Sequence, residues 1–329
     1  MSDFLQQMAA GSRERLEAAR RTRSEAMLLQ AAQSMPPAAQ LITHPARFDL
    51  IAELKLRSPA VGQLKAGTED VTARVTTYAR AGAAAVSVLT EPSRFDGSME
   101  HLEQATTALA PLKVPAMRKD FLVDPYQVLE ARVAGAGGVL VIIRMLSRSG
   151  IQEMLECANQ LGLFVLLEAF DEADIEVMHQ VLAPGAGPRA DAGRRGEPAA
   201  ATTAAAATSA AAGTSAAAGT SAAAATSAAA ATSAAASPTS AAAPVLAGLN
   251  CRDLTTLQIV PSRLIELAPL LPTHVPRVAE SGVTTSDDAA RVSKAGYELA
   301  LVGSALMQGG DSQTLAAAML NAGRASHSP

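Results

Sequence analysis

The chain reads as an α/β protein closed into a parallel (β/α)8 barrel, on three observations. Eight short apolar runs alternate with eight longer amphipathic segments, and eight βα repeats is the number that closes a parallel barrel. The runs are apolar almost throughout, as suits a sheet buried on both faces. A doubly wound open sheet usually has fewer strands and often a Gly-rich first turn, which is absent here.

In chain order, strands are predicted at 48–54 (FDLIAEL), 84–90 (AAVSVLT), 115–121 (PAMRKDF), 138–145 (GVLVIIRM), 163–169 (LFVLLEA), 245–250 (VLAGLN), 275–281 (VPRVAES) and 299–305 (LALVGSA). Helices are predicted after them at 69–83, 98–110, 124–136, 149–162, 171–182, 262–271, 285–296 and 312–322. Ahead of the first strand, residues 4–35 have helical periodicity but no place in the repeat. Residues 1–47 are therefore expected to form an N-terminal extension of one or two helices. Glu14, Glu17 and Glu25, interleaved with its arginines, mark a solvated helix face rather than a binding patch.

Residues 184–244 break the pattern with a unit of Thr-Ser followed by a few alanines. The tract has no large apolar side chain, so packing cannot offset the entropy of ordering it, and it reads as a disordered low-complexity insert. Its alanines favour a surface helix, which the recurring Thr, Ser and Gly oppose. It divides the barrel into residues 48–183 and 245–325. Because it follows the fifth helix and precedes the sixth strand, it belongs to the barrel face opposite the one that carries active sites.

Composition narrows the function. With 27 Lys and Arg against 31 Asp and Glu, the net charge of -4 excludes a broad nucleic-acid or polybasic membrane surface. The absence of Trp and the presence of only three Tyr remove the stacking residues of a single-strand binder. No apolar run reaches the roughly 18 residues of a membrane span. Cys157 and Cys251 lie far apart without metal-type spacing and no secretory leader is apparent, so a reducing cytoplasm is expected.

Barrel enzymes build their sites at strand C-termini and the loops that follow. Those positions hold Glu53 and Lys55, Lys119, Glu168, Asn250 and Arg252, Glu280 and Ser281, and Gly303-Ser304. So many charged groups converging on one mouth are costly unless they pair or bind something. Glu53 and Lys55, two positions apart, share a strand face; they could form a structural ion pair or part of a site. Lys119 alone would be a solvated strand end, but amid carboxylates it becomes a tuned acid. Glu168, closing a strongly apolar strand, calls for a partner such as Lys119, and Glu280 follows the same logic. Asn250 could simply cap a helix. Gly282 and Gly303-Ser304, after the last two strands, stand where barrels commonly hold phosphate, with Ser58 able to reach the same rim.

The segments IAELKLRSP (51–59), VSVLTEPSRFDGS (86–98), RKDFLVDPYQ (118–127), LLEAFDEAD (166–174), AGLNCRDLTTLQI (247–259), VAESGV (278–283) and LVGSALM (301–307) occur in barrel order. Together they resemble the indole-3-glycerol-phosphate synthases of tryptophan biosynthesis, over nearly all of residues 1–325 outside the alanine tract. The resemblance implies a TIM barrel of phosphate-binding type and no metal or organic cofactor. It also implies a carboxy-lyase that closes the indole ring of 1-(2-carboxyphenylamino)-1-deoxyribulose 5-phosphate with loss of CO2 and water. By position, Glu53, Lys119 and Glu168 match the family's acid and base residues, and Lys55, Asn250, Arg252, Glu280 and Ser281 its substrate site. Ser58, Gly282, Gly303 and Ser304 match its phosphate grip, and Phe95 an aromatic beside the anthranilate ring. The expected catalytic set is Glu53, Lys119, Glu168, Lys55, Asn250 and Glu280. The expected substrate-binding set is Ser58, Phe95, Arg252, Ser281, Gly282, Gly303 and Ser304. Departures from the family pattern are Ala60-Val61 after Ser-Pro, Phe170 in place of a common His, and Cys251 in place of a frequent Asn.

On this resemblance Lys119 polarises the substrate ketone, Glu53 and Glu280 stabilise the iminium-like charge, and Arg252 or Lys55 holds the substrate carboxylate. Dehydration falls to Lys55 with Glu53 or to Lys119 with Glu168. Association with other tryptophan-pathway enzymes is compatible with the chain. Two rivals stand beside this reading. One is a neighbouring activity, phosphoribosylanthranilate isomerase or the tryptophan synthase α subunit; the isomerase would want a cysteine where Glu53 stands. The other is a catalytically silent barrel whose alanine-rich tract recruits partners, against which Glu53, Lys119 and Glu168 argue.

Overall fold

Each predicted apolar run becomes one strand of a closed barrel in the computed structural model, which describes residues 2–44, 48–59, 62–64, 69–183, 243–308 and 310–327. The strands are β1 (Asp49–Leu54), β2 (Ala85–Leu89), β3 (Ala116–Lys119), β4 (Gly138–Ile142), β5 (Phe164–Ala169), β6 (Val245–Asn250), β7 (Arg277–Glu280) and β8 (Leu299–Val302). Every neighbouring pair is parallel, and β1 pairs with both β2 and β8, which closes the sheet. The tract predicted as an insert lies outside the described residues from 184 to 242, as do Ala60 and Val61. Among the described residues no helix is long and apolar enough to cross a membrane.

The helices of five residues or more are α1 (Asp3–Thr22), α2 (Glu25–Ser34), α3 (Val71–Arg80), α4 (Met99–Leu109), α5 (Pro125–Val133), α6 (Arg148–Gln160), α7 (Glu172–Leu182), α8 (Ser262–Glu266), α9 (Ser286–Lys294), α10 (Ser304–Gln308) and α11 (Ser312–Ser326), and a single helical turn spans Pro92–Phe95. Their starts are chemically marked: Asp70, Ser98, Asp124, Ser147, Asp171, Thr285 and Asp311 each accept a backbone N–H of the following turn. Between 262 and 271 the expected helix is broken, because Pro269 cannot continue it and a 3-10 turn over Ala268–Leu270 follows. A short antiparallel ladder between Arg57–Ser58 and Gly62–Gln63, in the loop after β1, was not foreseen.

Apolar runs conceal a strict alternation. Leu50, Ala52, Leu54, Val86 and Val88 face outward and pack under the helices. Ile51, Ala85, Met117, Leu140, Phe164, Leu166, Leu246, Val278 and Leu299 face inward and fill the barrel. Continuing the inward parity by twos leads from Ile51 to Glu53, from Met117 to Lys119, from Leu166 to Glu168, from Leu246 through Gly248 to Asn250, and from Val278 to Glu280. The apolar lower layers thus force the polar residues at the strand ends to converge.

The extension forms two helices. Leu5, Met8, Ala9, Ser12 and Leu16 make a buried stripe along α1 at helical spacing. Its arginines do more than face solvent. Arg15 reaches the buried Asp120 at 2.8 Å and Arg20 reaches Asp124 at 2.8 Å, so two of them tie the helix to the loop after β3. At the other end, Arg324 of α11 donates to Phe48 O (3.0 Å) and Asp49 Oδ1 (2.8 Å), fixing the last helix to the start of β1.

Gly323 sits in α11 directly over the fully buried Phe48 ring, where a Cβ would collide with Cδ1 and Cε1. Gly323→Ala should therefore destabilise the fold by about 1–3 kcal/mol, although alanine is the better helix former by about 1 kcal/mol. A lower urea midpoint with unchanged slope is the expected result; an unchanged or raised midpoint would mean that the ring gives way freely.

Candidate active site

All thirteen residues expected at the site line one cleft at the C-terminal mouth of the barrel. It encloses about 1060 Å³, counting space open to solvent. Its floor is charged. Lys119 Nζ lies 3.2 Å from Glu280 Oε2, 3.8 Å from Glu168 Oε1 and 3.9 Å from Glu53 Oε2. Lys55 Nζ lies 2.8 Å from Glu53 Oε1. Glu53, Glu168 and Glu280 are all essentially buried, each at 3 % exposure or less. Lys119 is therefore the common partner of three carboxyl groups that come from three different strands.

Small residues make the room. A Cβ at Gly248 would fall on Glu280 Oε1, and one at Gly303 would fall on Glu53 Oε1. These glycines serve close approach to carboxyl groups of the neighbouring strand. Asn250 caps no helix: its Nδ2 donates to Glu168 Oε1 (2.8 Å) and its Oδ1 accepts the Arg252 backbone N–H (3.0 Å). Glu168 thus has Asn250 as its nearer partner, with the expected Lys119 further off.

Burial and charge oppose each other in this cluster, and the outcome differs by residue. Burial alone would lower the Lys119 ammonium, but the charges of Glu280, Glu168 and Glu53 outweigh it and push its pKa above the ordinary lysine value. Burial would raise the Glu53 carboxyl, yet Lys55, Lys119 and Arg252 hold it below the usual carboxylate value. Glu280 goes the other way. Burial, the neighbouring Glu168 charge and a hydrogen bond with Glu168 raise it well above the ordinary value, against the pull of Lys119. Arg252 is lowered by burial, with Glu53 opposing; its Nη1 donates to Leu257 O at 2.7 Å.

Two sides of the cleft differ in chemistry. One is aromatic: Phe121 meets Phe95 with centroids 6.0 Å apart and Phe4 edge-on at 5.9 Å. Phe170 also lines the cleft, with the Arg144 guanidinium 4.7 Å from its ring centroid. The other side is backbone-rich. Ser281 and Gly282 are successive left-handed residues after β7, with φ of 65° and 72°, and α10 begins at Ser304 after Gly303. A serine there costs about 1 kcal/mol relative to ordinary geometry, which marks a turn held for its shape. Cys251 faces away from the cleft into the outer core, and burial pushes its thiol up to about 11, so it offers no nucleophile to the site. Among the described residues no group of His, Cys, Asp and Glu is arranged to hold a metal ion.

Sequence reasoning missed Phe4 and Leu5 of α1, Phe121, and the branched residues Leu254, Leu257 and Ile259 of the loop after β6. Phe121 was reachable by parity, two positions beyond Lys119. The residues of α1 were not, because nothing in their spacing says which face of the barrel the helix covers.

Comparison with known proteins decides the family. The sequence model described as Indole-3-glycerol phosphate synthase matches residues 5–187 and 232–319. The chain belongs to the indole-3-glycerol phosphate synthase family. It is similar to the indole-3-glycerol phosphate synthase of Parafrankia sp. (strain EAN1pec), 33% identical over 97% of this chain and 96% of that protein. The Micrococcus luteus enzyme of the same name is 33% identical over 93% and 92%. Among solved structures, 3-hexulose-6-phosphate synthase from Salmonella typhimurium superposes with a TM-score of 0.53, covering 85% of this chain and 100% of that one. At 12% identity that likeness speaks for the barrel fold alone. The chain is accordingly a lyase of tryptophan biosynthesis that closes an indole ring on a phosphorylated substrate with loss of CO2 and water.

Because Glu53 is held below its ordinary value, its contribution to stability is complete above the unfolded value of about 4.3 and disappears as pH falls through the lower folded value. Glu53→Gln should thus unfold at lower urea than the wild type at pH 7, and the gap should close below about pH 4. A gap independent of pH would show that packing, rather than charge, is what the substitution disturbs.

Proposed function

We propose that Lys119 is the proton donor of this ring closure, and that the three carboxyl groups around it set its charge and direction. The carrying observation is the 3.2–3.9 Å shell of Glu280, Glu168 and Glu53 about one partly buried ammonium. The ring carbon must attack a ketone whose oxygen becomes a hydroxyl, so a donor has to stand at that oxygen. Glu53, kept ionised by Lys55, Lys119 and Arg252, suits stabilisation of the iminium-like cation that precedes decarboxylation. Glu168, oriented by Asn250, suits the base that takes the ring proton during dehydration. Arg252 uses one guanidinium nitrogen on Leu257 O. Its remaining donors, with Lys55, are assigned to the substrate carboxylate.

The aromatic side formed by Phe4, Phe95 and Phe121 is assigned to the anthranilate ring, and Ser58 with the Ser281–Gly282 and Gly303–Ser304 turns to the phosphate. Residues 1–47 are proposed as the helical extension, and 184–244 as an insert on the αβ connection from α7 to β6 that catalysis does not need. A cytoplasmic location is proposed, with Cys157 and Cys251 both free. Association with other enzymes of tryptophan biosynthesis is part of the same reading and would appear as co-purification from cells making tryptophan.

Lys119→Ala tests the central assignment. With 1-(2-carboxyphenylamino)-1-deoxyribulose 5-phosphate and detection of indole fluorescence, turnover should fall by at least about a hundredfold while substrate still binds. Weakened binding with near-normal turnover at saturation would move the proton donor elsewhere.

A further inference from the structure

The stoichiometry of the ring closure bears directly on the Glu168 and Glu280 pair. The ketone oxygen leaves as water and so acquires two protons. One comes from the substrate carbon that is deprotonated when the indole forms. The substrate carboxylate departs as CO2 and brings none. One further proton per turnover must come from the protein and be replaced from solvent.

Glu280 is placed to hold that proton. Its Oε1 is buried without a partner, and its carboxyl group hydrogen-bonds that of Glu168, which takes a proton on one of the two. Burial and the Glu168 charge favour the same state. Its surroundings reinforce it: Leu301 stands opposite on β8, and β6 presents the uncharged Gly248 and Asn250. Glu168 on β5 and Lys119 on β3 are the charged groups that face it, with Glu53 on β1 beyond Lys119. Its Oε2 accepts from Lys119 Nζ at 3.2 Å, so the proton reaches Lys119 when the carboxyl group turns its O–H from Glu168 to the neutral amine.

Resting on the assignment of Lys119 as donor, we propose that Glu280 stands as a carboxylic acid in the free enzyme, shares its proton with Glu168, and reloads Lys119 during turnover. When the ring carbon bonds to the ketone carbon, the carbonyl electron pair goes to oxygen, which takes a proton from the Lys119 ammonium. Glu280 then passes its proton to the Lys119 amine, leaving a carboxylate. Lys119 therefore does not remain a neutral amine among carboxylates, the state its surroundings most disfavour. The bond to the carboxylate carbon breaks, its electron pair returns to the iminium system, and CO2 departs. In dehydration the C–O bond breaks, and the hydroxyl leaves as water with a second proton from Lys119. Glu168 removes the ring proton, which restores the shared proton of the pair. Lys119 is recharged from solvent, and the balance of one proton per turnover is met.

Infrared spectroscopy of the substrate-free wild type at pH 7 tests this without reference to activity. The expected result is a carbonyl stretch of a protonated carboxyl that shifts in D2O and is lost in Glu280→Gln. The absence of that band in the wild type, or its survival in the variant, overturns the proposal, and the wild-type measurement stands even if the variant does not fold. In kinetics, Glu280→Gln keeps the shape and a donor toward Glu168 but has no proton to give. It should leave KM within about threefold and lower kcat at least about a hundredfold at every pH. A kcat within threefold of wild type would likewise overturn it. Failure of the Lys119 assignment itself would appear differently, as a Lys119→Ala enzyme with near-normal turnover at saturation.

Discussion

One partly buried ammonium surrounded by three buried carboxyl groups is the constraint on which the rest of the structure depends. Removing four ionisable groups from water is unfavourable unless their charges meet and their hydrogen bonds are satisfied. The barrel accomplishes this by parity. Apolar side chains fill its lower layers, and each strand delivers its next inward position to the mouth, so Glu53, Lys119, Glu168 and Glu280 reach one point from four strands. Glycines at 248 and 303 leave the space that the carboxyl groups occupy. Truncation of any one partner would leave the others mismatched in a site that water hardly reaches, so the four groups depend on one another.

Around that cluster the chain builds two contrasting sides, and the extension helix helps to build the aromatic one. Asp120, next to Lys119, accepts from Arg15 of α1, from Thr90 Oγ1 and from the Phe121 backbone N–H, each at 2.8 Å. Glu91 accepts the backbone N–H groups of Ser93 and Arg94, at the start of the turn that carries Phe95. Arg15 also approaches Glu91 at 3.7 Å. A single arginine therefore connects the segments that bear Phe95 and Phe121, while Phe4 of its own helix meets Phe121 directly. The aromatic side depends on long-range charge pairing as much as on ring contacts.

Much of this was legible in the sequence, and the limits are physical. Strand ends can be read because a parallel barrel puts function at one end of every strand, so Glu53, Lys119, Glu168, Asn250 and Glu280 announced themselves. The partner of each could not be read. Glu168 looked to need Lys119, yet Asn250 is nearer, because strand register decides which neighbour lies opposite. Arg15 and Arg20 looked solvated among glutamates, since periodicity defines a helix face but not what covers it. The left-handed Ser281 and Leu257 carry no local signal, because their conformations are imposed by surrounding structure.

Three carboxyl groups hold the Lys119 ammonium charged against the cost of burial. Nitrogen-15 spectra of lysine side chains recorded with rising pH measure this directly, with Lys119→Arg identifying the signal. Lys119 Nζ should stay charged above about pH 10.4, where ordinary lysines are half titrated. A Lys119 that titrates at or below that value would show that burial prevails over the carboxyl groups.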